Sequence, residues 1–268
     1  MASPGRARGR SVLAPVPGLD AHVPYFSRLS ARSALYTELR LLLDGRPQAM
    51  AAGTYRSLVI DENCLARPSS WARRKLWQEL HSRYRLEVSD PLFAAFWAEW
   101  QRCSSDPERS LTAYVLLALN DRLVADLGTE WLYPLLRRAP AELRADDVLG
   151  FLRRLARTHP EVARWSATTT LAVAQKYCAS FRDFGLAKGV VKKTTVRPAL
   201  YGSPVRLLVR ALRLVDTPSL RLVGHPIFRL LAIDSTEVVH ALSELNRVGA
   251  LRFRMQGDVV ELDLAEAA

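Results

Sequence analysis

Lysine is scarce in this chain. Of its 38 basic residues only five are lysine, at positions 75, 176, 188, 192 and 193, and the other 33 are arginine. Cysteine is scarcer still. Cys64, Cys103 and Cys178 lie far apart in helical-looking apolar patterns, which excludes a disulfide framework and a Cys-x-x-Cys metal site and leaves core packing as their expected role. The histidines His22, His81, His159, His225 and His240 are scattered as well, with no H-E-x-x-H and no pair at helical spacing, so neither zinc nor any other cofactor is expected.

Long apolar runs are also missing. The longest, "LTAYVLLAL" at 111–119, meets Asn120, Asp121 and Arg122 at once, and it falls well short of the roughly 20 residues a bilayer demands. The opening "MASPGRARGRSVLAPVPGLD" is basic, but Pro15 and Pro17 break its apolar stretch, which makes a poor signal peptide. Residues 1–24 read as a flexible basic tail, and the protein as soluble and cytoplasmic, with no membrane partner. Walker, G-x-S-x-G and Rossmann glycine patterns are absent, and the carboxylate pairs Asp61/Glu62 and Asp146/Asp147 sit at helix ends, where they serve as caps. No enzyme is expected.

What is present is a 268-residue chain that is 49% hydrophobic and carries a net charge of +11. It can bury substantial cores, and its charge favours a polyanionic partner, because clustered cations gain by releasing the counterions of a phosphate backbone. An arginine-rich composition that merely keeps the surface solvated is the competing account until the charge is shown to cluster. Apolar residues at three-to-four spacing predict helices over 27–44, 47–62, 69–86, 90–103, 107–126, 129–138 and 146–158, separated by "DGRP", "RPSS", "SDP" and "SSDP". In 69–86, Trp71, Leu76, Trp77, Leu80 and Tyr84 fall on one stripe, with Arg73, Arg74, Lys75 and Arg83 mostly off it.

Beyond His159-Pro160 the texture changes. Ser166 or Thr168 caps a helix over 167–184 with Leu171, Ala174, Cys178 and Phe181 inward, joined by Tyr177 and Phe184, and Gly185 stops it. "LAKGVVKKTTVRPALY" then reads as a short β-branched strand, a tight turn and a second strand. The order predicts a winged helix-turn-helix. A second such unit follows: helices at 204–215 and 218–231, a helix capped by Asp234 or Ser235 with Val238, Leu242, Leu245 and Val248 inward, then strands 251–255 and 259–264 around Gln-Gly-Asp. The expected fold is mainly α: a tail (1–24), a helical bundle (25–140), a winged-helix-like unit with a basic wing (141–201) and a second such unit (202–268).

In the first unit, Thr169, Ala172, Gln175, Lys176, Ala179 and Arg182 are left facing outward, small or hydrogen-bonding side chains that suit a major groove. The wing adds Lys188, Lys192, Lys193 and Arg197, suited to phosphate contacts that carry no sequence information. A merely solvated wing is the competing reading. Arg73, Arg74 and Lys75 form a second basic patch, in a first helical turn where the dipole opposes them. The second unit differs. Glu237, His240, Ser243, Glu244 and Arg247 face outward from its helix, and its strands set Asp258, Glu261 and Asp263 against Arg252 and Arg254, so a structural or protein-binding role is favoured there.

Two stretches carry a resemblance. "DENCLARPSSWARRKLWQELHSRY" (61–84) is similar to an Asn-Leu-Leu stretch followed by a Ser/Thr-rich turn and a basic helix, and "HPEVARWSATTTLAVAQKYCASFRDFGLAKG" (159–189) to a block of His-Pro, Trp/Leu-Ser, Thr and L-R-x-x-G-L-L. Both patterns belong to the BrxA family of BREX bacteriophage-defence systems, which the chain resembles from Tyr25 to Val215, with Cys64 standing where the family often has leucine. The resemblance implies a helical, non-enzymatic component with DNA-binding capacity, working beside methyltransferase, phosphatase-like and ATPase proteins. It also implies a likeness to the RNA-binding NusB fold. Three partners are therefore expected to compete: duplex DNA, other BREX components that an adaptor would dock, and RNA.

Overall fold

Side-chain caps open several of the helices in the computed structural model, which describes residues 15–138 and 140–264. The expected tail lies outside the described residues up to position 14. From Pro15 onward it is packed, with Val16 buried and a 3-10 turn at Pro17–Leu19. The first helices are α1 (Tyr36–Leu43) and α2 (Ala52–Ile60). Residues 27–35, expected to be helical, are irregular, because α3 (Ser70–Tyr84) takes up their carbonyls: Tyr84 Oη donates to Ala34 at 2.7 Å, and Arg83 Nη2 donates to Arg28 and Arg32 at 3.3 and 3.1 Å.

Helix α3 begins at Ser69, whose Oγ accepts from the Ala72 amide. Two of its residues correct the expected stripe. Trp71 sits in the first turn beyond the reach of the core and is 68% exposed. Arg83, expected on the basic face, is buried, with Nη1 3.7 Å from the buried Glu79 carboxylate one turn earlier and the two carbonyls above as acceptors. A guanidinium spreads its charge over five donors and so tolerates burial where an ammonium would not.

Asp90 caps α4 (Pro91–Trp100), and Ser105 caps α5 (Asp106–Asn120). Every residue of α5 from Ser110 to Asn120 is buried, so the apolar run at 111–119 forms the central helix of a bundle. The helix expected over 107–126 breaks at Asp121, whose extended backbone lets its carboxylate cap α6 (Arg122–Asp126). A π-helical segment, Leu127–Leu132, carries the chain into α7 (Tyr133–Arg137).

Next come β1 (Glu142–Leu143), α8 (Ala145–Leu155), α9 (Pro160–Ala163), α10 (Ala167–Asp183), β2 (Ala187–Lys188) and β3 (Lys193–Thr195). The three strands form an antiparallel sheet of order β1-β3-β2, with Glu142 opposite Thr194 and Ala187 opposite Thr195. Strand β1 was not anticipated. Neither was the position of Val190 and Val191, which occupy the turn instead of a strand, because Gly189 adopts φ +96° and ends β2.

The remainder comprises α11 (Gly202–Leu214), α12 (Ser219–Val223), a 3-10 turn at Pro226–Leu231, α13 (Ser235–Arg247), β4 (Leu251–Gln256) and β5 (Val259–Leu264). The Gly224-His225-Pro226 sequence divides the helix expected at 218–231. Helix α11 packs on α4 and α5. Glu99 of α4, with 0% exposure, locks it there: Arg206 Nε lies 2.7 Å and Arg210 Nε 2.9 Å from the carboxylate, with Arg102 at 3.3 Å. One buried apolar cluster runs from Val16 to Leu262.

Candidate nucleic-acid interface

Helix α10 opens as its sequence predicts, with Ser166 Oγ accepting from the Thr169 amide at 3.1 Å. It closes at Gly185, whose φ of +78° favours glycine. The helix is rotated relative to the expected stripe. Val173, Ala174, Tyr177, Cys178 and Phe181 are buried, whereas Leu171 is exposed. Val173 joins the buried stripe on the side away from Leu171, roughly 200° round the helix from it. The solvent edge therefore runs through Thr168, Leu171 and Gln175, with Thr169, Lys176 and Arg182 half-buried on its flanks.

The predicted contact residues divide according to whether the fold already engages them. Gln175 and Lys176 make no side-chain hydrogen bond or ion pair among the described residues, and neither does the exposed Lys188. Lys192 is exposed and reaches only the Glu142 carboxylate, at 3.7 Å, while Lys193 Nζ donates to the Val190 carbonyl at 3.0 Å. Arg182, in contrast, pairs with its neighbour Asp183 at 2.7 Å, and Thr169 shares a 2.9 Å hydroxyl contact with Ser166. Arg197 is held by Glu237 of α13 at 2.5 Å. Glu237 also receives Arg137 and the Asp234 amide, and although burial opposes them, these donors keep its carboxyl below the ordinary value.

The second patch is largely spent inside the fold. Arg73 Nη1 donates to the Ile60 carbonyl at 2.6 Å, so this first-turn cation meets the negative C-terminal end of α2. Lys75 lies 3.7 Å from Glu79, and of the three residues of this patch Arg74 alone is exposed without an ion pair among the described residues.

Sequence reasoning missed three cations. Arg153, Arg157 and Arg164 are exposed, make no ion pair among the described residues, and line the path from the end of α8 through α9 to the start of α10. For Arg153 and Arg157 the signal was the run "LRRLART" (152–158) ahead of the capped helix; Arg164 had none.

The second hairpin carries both signs of charge, without an ion pair among its described residues. Arg252 stands opposite Asp263 and Arg254 opposite Glu261 in the β4–β5 register. On α13 the capping box is present, with Asp234 accepting from the Glu237 amide, and Val238, Leu242 and Leu245 point inward as expected. Val248 does not. It lies beyond the last helical turn, before Gly249, and is 63% exposed.

Of the cysteines, Cys103 and Cys178 are buried, and burial pushes the Cys178 thiol up to about 11. Cys64, expected in the core, is exposed, because it falls in the turn after α2. No three His, Cys, Asp or Glu side chains among the described residues are grouped to hold a metal ion. No helix among them is long and apolar enough to cross a membrane.

These features define a mainly helical protein with short antiparallel strands, in which a capped helix is flanked by a lysine-bearing hairpin. A family model described as BrxA matches residues 23–211 of the 268, and the chain belongs to that family. The match takes in the lysine hairpin and ends within α11, short of β4 and β5. No curated protein matches the chain.

Proposed function

We propose that this protein is a non-enzymatic, DNA-binding accessory of a BREX-type phage-defence system, acting in the cytoplasm and gripping duplex largely through its phosphates. The observation that carries the reading is the set of unengaged cations around α10. Lys176, Lys188, Arg153, Arg157 and Arg164 have no ion-pair partner among the described residues, and Lys192 has one distant carboxylate. A protein that neutralised such charge internally would gain stability from it, whereas one that leaves it open can exchange it for phosphate. The strand order β1-β3-β2 around α8 and α10 supports a winged-helix reading of this unit, with α10 as the element for the major groove and Gln175 as its central hydrogen-bonding side chain.

Electrophoretic shifts of duplex DNA, single-stranded DNA and RNA across a salt series test this reading. Duplex is expected to bind with a steep salt dependence, and K188E/K192E/K193E to weaken binding to about the same degree on every sequence. Wild-type affinity in that variant at moderate salt would end the wing assignment, and preference for RNA over duplex of the same sequence would favour the NusB-like reading instead.

A second reading, an adaptor that docks other defence proteins, draws on one observation. Between α11 and α13 lies an apolar groove of about 360 Å³, lined by Leu200, Tyr201, Val205, Ala241, Leu245 and Val248. Co-purification that survives high salt and nuclease, without retention of free DNA, would select it.

A further inference from the structure

The wing ends in two valines that nothing in the fold covers. Val190 is 75% and Val191 96% exposed, the two most exposed large hydrophobic side chains among the described residues. Single exposed apolar residues are ordinary on protein surfaces. This pair is distinguished by how it is held. A Cβ at Gly189 would fall 2.1 Å from the Lys192 carbonyl oxygen, so only glycine permits a turn this tight. Across the same turn Lys193 Nζ donates to the Val190 carbonyl at 3.0 Å. The tip is fixed by its own backbone, and Lys188, Lys192 and Lys193 surround it.

We propose that this tip is an apolar wedge for the minor groove of duplex DNA, with Val190 and Val191 pressed between base steps while Lys188, Lys192 and Lys193 hold the flanking phosphates. The inference rests on the DNA-binding reading and adds to it a deformation of the DNA. The argument is one of complementarity. An apolar point inside a ring of cations fits a partner that is anionic at its rim and apolar within, and a base stack between two phosphate backbones is such a partner. An anionic lipid surface has the same layering, but two side chains offer little area for insertion, and the solvent edge of α10 adds only Leu171 between the polar Thr168 and Gln175. Wedge insertion kinks the duplex and is easiest at flexible pyrimidine–purine steps.

The test is ligase-catalysed circularisation of a DNA fragment of about 100 bp, shorter than the ~150 bp persistence length and so reluctant to close alone. It is run beside a mobility-shift titration of the same fragment, with wild-type protein, V190S/V191S and V190I/V191I. Wild-type protein is expected to raise circle yield at least about fivefold, the serine variant to lose that gain while still shifting the fragment, and the isoleucine variant to keep it. A wild-type protein that shifts the fragment without raising circle yield, or a serine variant that circularises as well as wild type, overturns the wedge and leaves the DNA-binding reading intact. Failure of wild-type protein to shift DNA at all removes both. Valine-dependent sedimentation with phosphatidylserine vesicles, without circularisation, would assign the tip to lipid and likewise overturn the wedge.

Discussion

The helical bundle and the wing use positive charge in opposite ways. In the bundle, guanidinium groups point inward onto carboxylates: Arg206 and Arg210 grip Glu99, and Arg83 and Arg32 approach Glu79. On the wing, ammonium groups point outward, and the nearest carboxylate to any of the three is the 3.7 Å contact between Lys192 and Glu142. Residue type follows this use. A planar fork of donors satisfies a buried carboxylate along two directions, while a compact, well-hydrated ammonium on a flexible stem can follow a phosphate backbone without fixed geometry. The buried cations are thus arginine, while the open ones are of both kinds, the lysines of the hairpin and the exposed Arg74, Arg153, Arg157 and Arg164. The second hairpin completes the contrast. There Arg252 and Arg254 stand opposite Asp263 and Glu261 in the strand register, so the hairpin carries both signs of charge where the wing carries one.

The contrast breaks most visibly in the bundle. Glu99→Ala should cost about 3–5 kcal/mol by denaturant unfolding, because it leaves Arg206 and Arg210 without their shared carboxylate in a buried site. The folded variant should still bind duplex as wild type does. A cost below about 1 kcal/mol would mean that the clamp between α4 and α11 is not what holds them.

A smaller effect of opposite sign is expected at Asp121. Burial lifts its carboxyl to about 6 from an ordinary value of 3.8, against the pull of Arg28 at 3.8 Å, two amides of α6 and the more distant Arg83. The folded state thus holds this proton more tightly than the unfolded chain does. Its contribution to stability is present below about pH 4 and is lost as pH rises through about 6. Asp121→Asn keeps a capping oxygen without the charge, and should gain about 2 kcal/mol over wild type in urea unfolding at pH 7.5 and nothing at pH 4. An equal difference at the two pH values would refute the assignment.

Arg197 lies on the border between the two regimes, beside the wing in sequence but bound to Glu237 of α13. Arg197→Ala should cost about 1 kcal/mol or less, as befits a half-exposed pair. It should change duplex affinity by less than about twofold, since one phosphate contact is the most it could contribute and its charge is already committed. A loss comparable to that of a wing lysine would return Arg197 to the interface.

The helix boundaries were legible where a side chain writes them. Ser166 and Asp234 cap where expected, and Gly185 and Gly249 lie at the ends of their helices. Rotation about the helix axis was less legible, because a run such as Leu171–Tyr177 has apolar residues on several faces and only the packing of α10 in the fold, in part on α8, decides that Val173 is buried and Leu171 exposed. Two-residue β1 has no periodicity to read. It exists because β3 offers it an edge. At the candidate site the lysines were visible as a composition anomaly. Which cations the fold leaves open was not, because the partners of Arg73 and Arg197 are distant in sequence: the Ile60 carbonyl and the Glu237 carboxylate. Of the exposed Arg153, Arg157 and Arg164, only Arg153 lacks an acid at helical spacing in sequence, since Glu161 lies four residues after Arg157 and three before Arg164, and only the fold shows that neither pairs with it.

The most direct test of the account is the salt slope of duplex binding, measured as log affinity against log salt for wild type, for Lys188→Ala/Lys192→Ala/Lys193→Ala, and for Arg252→Ala/Arg254→Ala. If the wing lysines hold phosphates and the second hairpin does not, the lysine variant should lose roughly 3 from the slope and about a hundredfold in affinity at 0.15 M salt. The arginine variant should match wild type. Equal slopes in wild type and the lysine variant, or an equal loss in the two variants, would contradict the division of charge between a wing of lysines and a hairpin of mixed charge.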